Sequence, residues 1–185
     1  MSAAIEVRNL KKTYSGFGLQ NVSFCVPQGS IVGLIGENGA GKTTTIKAIL
    51  NLIDIEGGEI SVLGSPSKPV RQTREEIGVV FDDLCFHENL SVSQLDRVMQ
   101  GLYKKWDRDL FRQYCQRFSL DGKKRIGELS KGMKMKLSIT AALSHQPRLL
   151  ILDEATSGLD PVMRDEILDV FLDFIQEERN SILLS

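Results

Sequence analysis

Gly36-Glu37-Asn38-Gly39-Ala40-Gly41-Lys42-Thr43-Thr44 follows directly on the apolar run 31–35 and leads into a helical pattern over 42–52. A strand, a turn of the form GxxxxGK[ST] and a helix, in that order, make a loop that cradles phosphate groups. The glycines let the backbone curl until successive N–H groups point inward. The helix N-terminus adds a favourable dipole worth ~0.3 to 1 kcal/mol. The candidate phosphate-binding residues are therefore Gly36, Asn38, Gly39, Ala40, Gly41, Lys42, Thr43 and Thr44. Lys42 is placed to reach the β- and γ-phosphates and act on the reacting group, and the Thr43 hydroxyl to hold Mg²⁺.

A second stretch, Leu149-Leu150-Ile151-Leu152-Asp153-Glu154, reads as a buried strand ending in two acids. Open α/β sheets bind ligands at that carboxyl edge. Asp153 is a candidate Mg²⁺ ligand, directly or through water. Glu154 is a candidate general base for an attacking water, a role worth roughly 10² to 10⁴ in rate. An acid pair alone would equally serve to cap a turn; beside a phosphate loop it reads as hydrolytic.

Further β-rich runs at 5–7, 22–26, 60–63, 77–81 and 182–184 join those at 31–35 and 149–152. Runs 31–35, 79–81 and 149–152 lack polar alternation, which predicts parallel strands covered on both faces, while the earlier ones alternate. Helical patterns fit 42–52, 92–103, 108–118, 131–144 and 162–178, the last opening with Pro161 just after Asp160. The stretch 91–144 holds no strand candidate and predicts a helical lobe. One domain over 1–185 follows: a β lobe and phosphate-loop core over 1–84, helices over 85–145, and returning core over 146–185.

Composition narrows the function classes. An apolar fraction of 42% and a charged fraction of 25% are ordinary for a globular chain. The formal net charge of -1 gives no electrostatic footprint for DNA or RNA, so no nucleic-acid partner is expected. No apolar run reaches the ~18 residues of a membrane span, and residues 1–10 lack the layout of a signal peptide. The expected location is cytoplasmic, with membrane contact only through a partner. Cys25, Cys85 and Cys115 show neither disulfide nor zinc spacing and are expected to be reduced and without chemical role.

Leu129-Ser130-Lys131-Gly132-Met133, lying between the phosphate loop and Asp153, resembles the signature sequence of the ATP-binding-cassette (ABC) ATPases. Ser157-Gly158-Leu159-Asp160 is similar to that family's D-loop, and Tyr14 lies where the family usually has an aromatic residue stacking on adenine. The resemblance covers about 5–185. It implies an α/β fold of the P-loop NTPase (RecA-like) type, with a mostly parallel core sheet, an N-terminal antiparallel β lobe and an inserted α-helical lobe. It also implies ATP and Mg²⁺ as cofactors, hydrolysis coupled to transport, and a separate membrane-spanning subunit at the inner face of the membrane. Physically, Ser130 caps the next helix and offers, with the Gly132 N–H, a second anion site. The resemblance implies that this site closes on ATP held by another subunit, in a homodimer or a dimer with a similar chain.

Three departures from the family pattern stand out. Asp82 occupies the place of a Gln that contacts Mg²⁺, with Asp83 adjacent as a rival ligand. Lys131 and Met133 replace the usual Gly and Gln of the signature. No His follows the strand at 181–185, so the expectation is a C-terminally truncated form that binds ATP and turns it over slowly. His87 and His145 are expected to be structural, His145 at a helix end, where His is a favourable C-terminal residue. Two functions compete: an ATPase driving an exporter-type transporter, with Leu84-Cys85-Phe86 either a docking surface or lobe core, and a nucleotide-binding regulatory module with little hydrolysis. Phosphate release separates them.

Overall fold

The computed structural model describes residues 2–66, 71–82, 85–155 and 158–185. Asp83, Leu84 and Ser157, all named above, lie outside them. Among the described residues the order is β1 (Ala3–Tyr14), β2 (Phe17–Pro27), β3 (Ile31–Gly33), α1 (Lys42–Ile49), β4 (Gly57–Val62), β5 (Ser65–Pro66), α2 (Arg71–Glu75), β6 (Ile77–Phe81), α3 (Val92–Leu102), α4 (Arg108–Arg117), α5 (Lys131–Leu143), β7 (Leu149–Asp153), α6 (Pro161–Ile175) and β8 (Ser181–Leu184). A 3-10 turn, Ile126–Glu128, precedes α5.

Two sheets form. One is antiparallel, in the order β2-β1-β4-β5; the other is parallel, in the order β3-β8-β7-β6. The mixed α/β class, with a parallel core and an N-terminal antiparallel sheet, is the one expected. β7 is buried along its whole length, and its alternation divides the hydrophobic interior. Leu149 and Ile151 join the cluster of Ile5, Leu10, Ile46 and Ile49 under the antiparallel sheet and α1. Leu150 and Leu152 join the cluster of Leu95, Phe111, Leu137 and Ile167 from the helices.

One expectation is corrected. The run at 31–35 is not covered on both faces: β3 ends at Gly33 and, among the described residues, lies at the sheet edge, paired with β8. Ile31 is 42% and Ile35 98% exposed. An unbroken apolar run therefore marked an edge strand leading into the loop.

Over 92–143 the described elements are helices, with one isolated bridge between Ser91 and Arg125. Each of these helices starts on a side-chain cap. Ser91 and Gln94 form a reciprocal capping box on α3, and Asp107 accepts from the Asp109 and Leu110 N–H groups at the start of α4. Burial alone would raise the Asp96 carboxyl, but Arg108 and Trp106 donate to it and hold it below its ordinary range. Cys115 is buried in the same lobe, where desolvation pushes its thiol up to about 12, so it carries no thiolate chemistry.

Candidate functional site

The phosphate loop spans the gap between β3 and α1. Glu37 O accepts from the Ala40 N–H at 3.1 Å, closing a turn that carries Gly39 at φ 84. Gly41 is the N-cap of α1 at φ 95, in the left-handed region that glycine alone adopts cheaply. A Cβ there would lie 2.5 Å from Leu19 Cδ2 and 2.7 Å from Phe17 Cζ, so the hairpin β1–β2 braces the loop from beneath. Sequence reasoning missed Phe17; the available signal was its place opposite Tyr14 across the Ser15-Gly16 turn.

With no side chain on its N-cap, α1 opens without a capping bond, and no acid lies in its first turn. The first i→i−4 bond is made by the Thr45 N–H to Gly41 O at 2.8 Å. The N–H groups of Lys42, Thr43 and Thr44 come before it, at the positive end of the helix, where an anion could be held. Lys42 Nζ donates to Gly36 O at 2.8 Å and Glu37 O at 3.1 Å. The ammonium is thus held across the loop by two carbonyls, with a third donor in hand.

The acids arrive from β7. Thr43 Oγ1 donates to Asp153 Oδ1 at 3.1 Å, joining the loop to the carboxyl end of the strand. The Asp153 side chain is buried and Glu154 half-buried. Hydroxyl and carboxylate oxygens are the hard donors that suit Mg²⁺, an ion that takes one or two carboxylates and completes its shell with phosphates and water. The residues present therefore fit both a phosphate chain and that cation. Glu154 itself stands at φ 54, a left-handed conformation costly for a residue with a Cβ. Ser185, not singled out in the sequence, bonds both acids: its Oγ donates to Asp153 Oδ1 at 2.8 Å and accepts the Glu154 N–H at 3.2 Å.

The other candidates stand apart from this cluster in their contacts. Asp82 follows Phe81, the register partner of Asp153, so it belongs to the same sheet edge. Its Oδ1 lies 2.8 Å from Lys131 Nζ. Two of the departures noted in the sequence therefore meet as an ion pair. Lys134 pairs with Glu88 at 2.8 Å and Lys136 with Glu166 on α6, so the lysines of α5 strap it to its surroundings.

Ser130 is the N-cap of α5, accepting the Met133 N–H at 3.3 Å. Gly132 is buried, and a Cβ on it would fall 2.2 Å from Met163 Sδ, so a larger residue there would displace the Met163 side chain. Tyr14 is 44% exposed, with Lys12 Nζ over its ring at 5.3 Å from the centre.

The histidines lie elsewhere. His145 is buried, stacked on Tyr103 at 4.2 Å, with Nε2 3.2 Å from Ile77 O. Desolvation holds it below its ordinary range, and the ring is packed into the interior, the structural role expected of it. His87 Nδ1 accepts from the Asn89 N–H at 3.3 Å.

A phosphate loop meeting a buried aspartate at a parallel-sheet edge, with a capped signature helix beside it, defines a cassette ATPase fold. The ABC transporter family profile matches residues 19–157, and the chain belongs to that family. It is 35% identical over 190 residues to the bacitracin transport ATP-binding protein BcrA of Bacillus licheniformis, covering 100% of this chain and 62% of that protein. It is 40% identical over 172 residues to the Nod factor export ATP-binding protein I of Burkholderia orbicola, covering 88% of this chain and 56% of that one. Among solved structures, the ATP binding subunit of an ABC transporter matches with TM-score 0.86 at 30% identity, over 98% of this chain and 79% of the other. The structure of cbiO1 from Clostridium perfringens, part of the ABC transporter complex cbiONQ, matches with TM-score 0.80 at 25% identity, over 100% and 78%. The chain thus spans under two thirds of the length of these curated relatives. Among the described residues no helix is long and apolar enough to cross a membrane.

Proposed function

We propose that this chain binds ATP with Mg²⁺ in the 36–44 loop and hydrolyses it, powering transport through a separate membrane-spanning subunit at the cytoplasmic face of the membrane. The observation that carries the reading is the 3.1 Å contact between Thr43 Oγ1 and Asp153 Oδ1, which joins phosphate loop and acidic strand at one point. The open N–H groups of α1 and the Lys42 ammonium bind the phosphates. Thr43 and Asp153 would hold Mg²⁺, whose charge would help neutralise the phosphates. Glu154 orients a water for attack on the γ-phosphorus and takes its proton as the bond to the β-phosphate oxygen breaks. Tyr14 stacks its ring on adenine. Asp82 joins the cation's surroundings only when its bond to Lys131 opens.

Ser130 and Gly132 contact the ATP of a second cassette, either a copy of this chain or a similar one, in a twofold arrangement. We assign export as the direction. The LSKGM signature supports it, as does the higher identity to the Nod factor export protein, 40%, than to the methionine import proteins MetN 2 of Enterococcus faecalis and MetN 4 of Oceanobacillus iheyensis, 32% and 34%.

Glu154→Gln tests the core of the proposal. It keeps the shape and removes the base, so ATP binding is expected to survive while phosphate release falls about 100-fold or more. A variant that releases phosphate at the parental rate would remove Glu154 from its role.

A further inference from the structure

The geometry points to Ser185 as a positioning residue for both acids of the site. The inference rests on the reading of Asp153 as cation ligand and Glu154 as base given above. β8 runs parallel to β7 with Leu184 opposite Leu152, and the Ser185 N–H continues the ladder to Leu152 O at 3.0 Å. Ser185 therefore comes level with Asp153 and Glu154 at the sheet edge. From there one hydroxyl makes two bonds, donating to Asp153 Oδ1 at 2.8 Å and accepting from the Glu154 N–H at 3.2 Å.

Each bond restrains something that needs restraint. Asp153 Oδ1 also accepts from Thr43 at 3.1 Å, so a single carboxylate oxygen is held from the phosphate loop on one side and from β8 on the other. The carboxylate is oriented in advance, which spares reorganisation when a cation is bound. Glu154 leaves the strand at φ 54, a conformation that persists only where the surroundings over-determine it. The bond from its N–H to Ser185 is such a restraint, and it sets the direction in which the Glu154 side chain departs. A hydroxyl is a good donor and acceptor at once: alanine supplies neither bond, threonine both, and a thiol only weak ones.

The test uses the full chain and three measurements: binding of the non-hydrolysable analogue AMP-PNP over a Mg²⁺ titration, steady-state ATP hydrolysis, and thermal unfolding. For Ser185→Ala, metal-free nucleotide affinity is expected to stay within about twofold. The Mg²⁺ needed for half-maximal binding enhancement rises about tenfold, and kcat falls about tenfold at little-changed KM, the usual consequence of losing a hydrogen bond to a charged group. Ser185→Thr restores both. Should the alanine variant unfold, Ser185→Cys keeps the volume, weakens both bonds and carries the same expected shifts.

A structural role alone would lower the unfolding temperature and leave the Mg²⁺ titration at its parental midpoint; that result overturns the assignment, as does a threonine variant that behaves like alanine. Glu154→Gln separates the two levels. If it hydrolyses normally, the reading of the acids is wrong. If it is inactive while Ser185→Ala keeps the parental Mg²⁺ dependence, the Ser185 assignment alone fails.

Discussion

Two helices of this chain begin at functional motifs, and they begin in opposite ways. α1 opens on Gly41, in the left-handed region, with no side-chain cap and no acid in its first turn. α5 opens on Ser130, whose hydroxyl already accepts the Met133 N–H, and its first residue, Lys131, is paired with Asp82. α3, α4 and α6 resemble α5 here, being capped by Ser91, Asp107 and Asp160. An uncapped helix N-terminus leaves backbone donors that something else must satisfy. In α1, under the proposed function, that something is a phosphate chain; in α5 the Ser130 hydroxyl takes the Met133 N–H, and under the same proposal the Gly132 N–H is left for a second subunit's nucleotide.

The largest test of this contrast is Gly41→Ala. The new Cβ meets both a disfavoured φ and the side chains of Leu19 and Phe17, so the loop must move. ATP affinity is expected to drop by about 100-fold or more, since a displaced loop loses several charge-assisted bonds together; retention of parental affinity by calorimetry would break the account of α1. Ser130→Ala should act quite differently. It removes a cap, costing about 1 kcal/mol of stability by denaturant unfolding, and leaves the affinity of a single chain for ATP within about twofold. A large loss of single-chain affinity would place Ser130 in the α1 site.

The smallest effect belongs to Lys131→Ala. Both partners of its bond to Asp82 are substantially exposed, at 60% and 40%, so the coupling energy from a double-mutant cycle with Asp82→Asn should be below about 1 kcal/mol and should fade in high salt. A larger, salt-resistant coupling would make this pair a lock between sheet and helix.

Much of this was legible because it is local. GxxxxGK[ST] after an apolar strand fixes loop geometry within a few residues. The run Leu149–Asp153 reads as fully buried because no polar residue interrupts it before the acids. The helix starts expected at 92, 108 and 131 fall where the helices begin, and each is fixed by a short-range bond, from Ser91, Asp107 and Ser130. What escaped is set by pairing across the chain. Ser185 reaches Asp153 only through the parallel register of β7 and β8, and Phe17 lies beneath Gly41 only because a hairpin folds onto the loop. Lys131 and Asp82 each broke the family pattern separately, and no periodicity in the sequence tells that they touch. The packing partners of His145 escaped for the same reason: Ile77 O and the Tyr103 ring come from far away in sequence.

The meeting of Thr43 and Asp153 joins the phosphate loop to the acidic strand, and its role is tested by titrating ATP into the parent and into Asp153→Asn, with and without Mg²⁺. The parent should bind more tightly when Mg²⁺ is present; the variant should lose that enhancement while its metal-free affinity stays within about twofold, because only the cation's ligand has changed. Equal enhancement by Mg²⁺ in both proteins would contradict the assignment of the site.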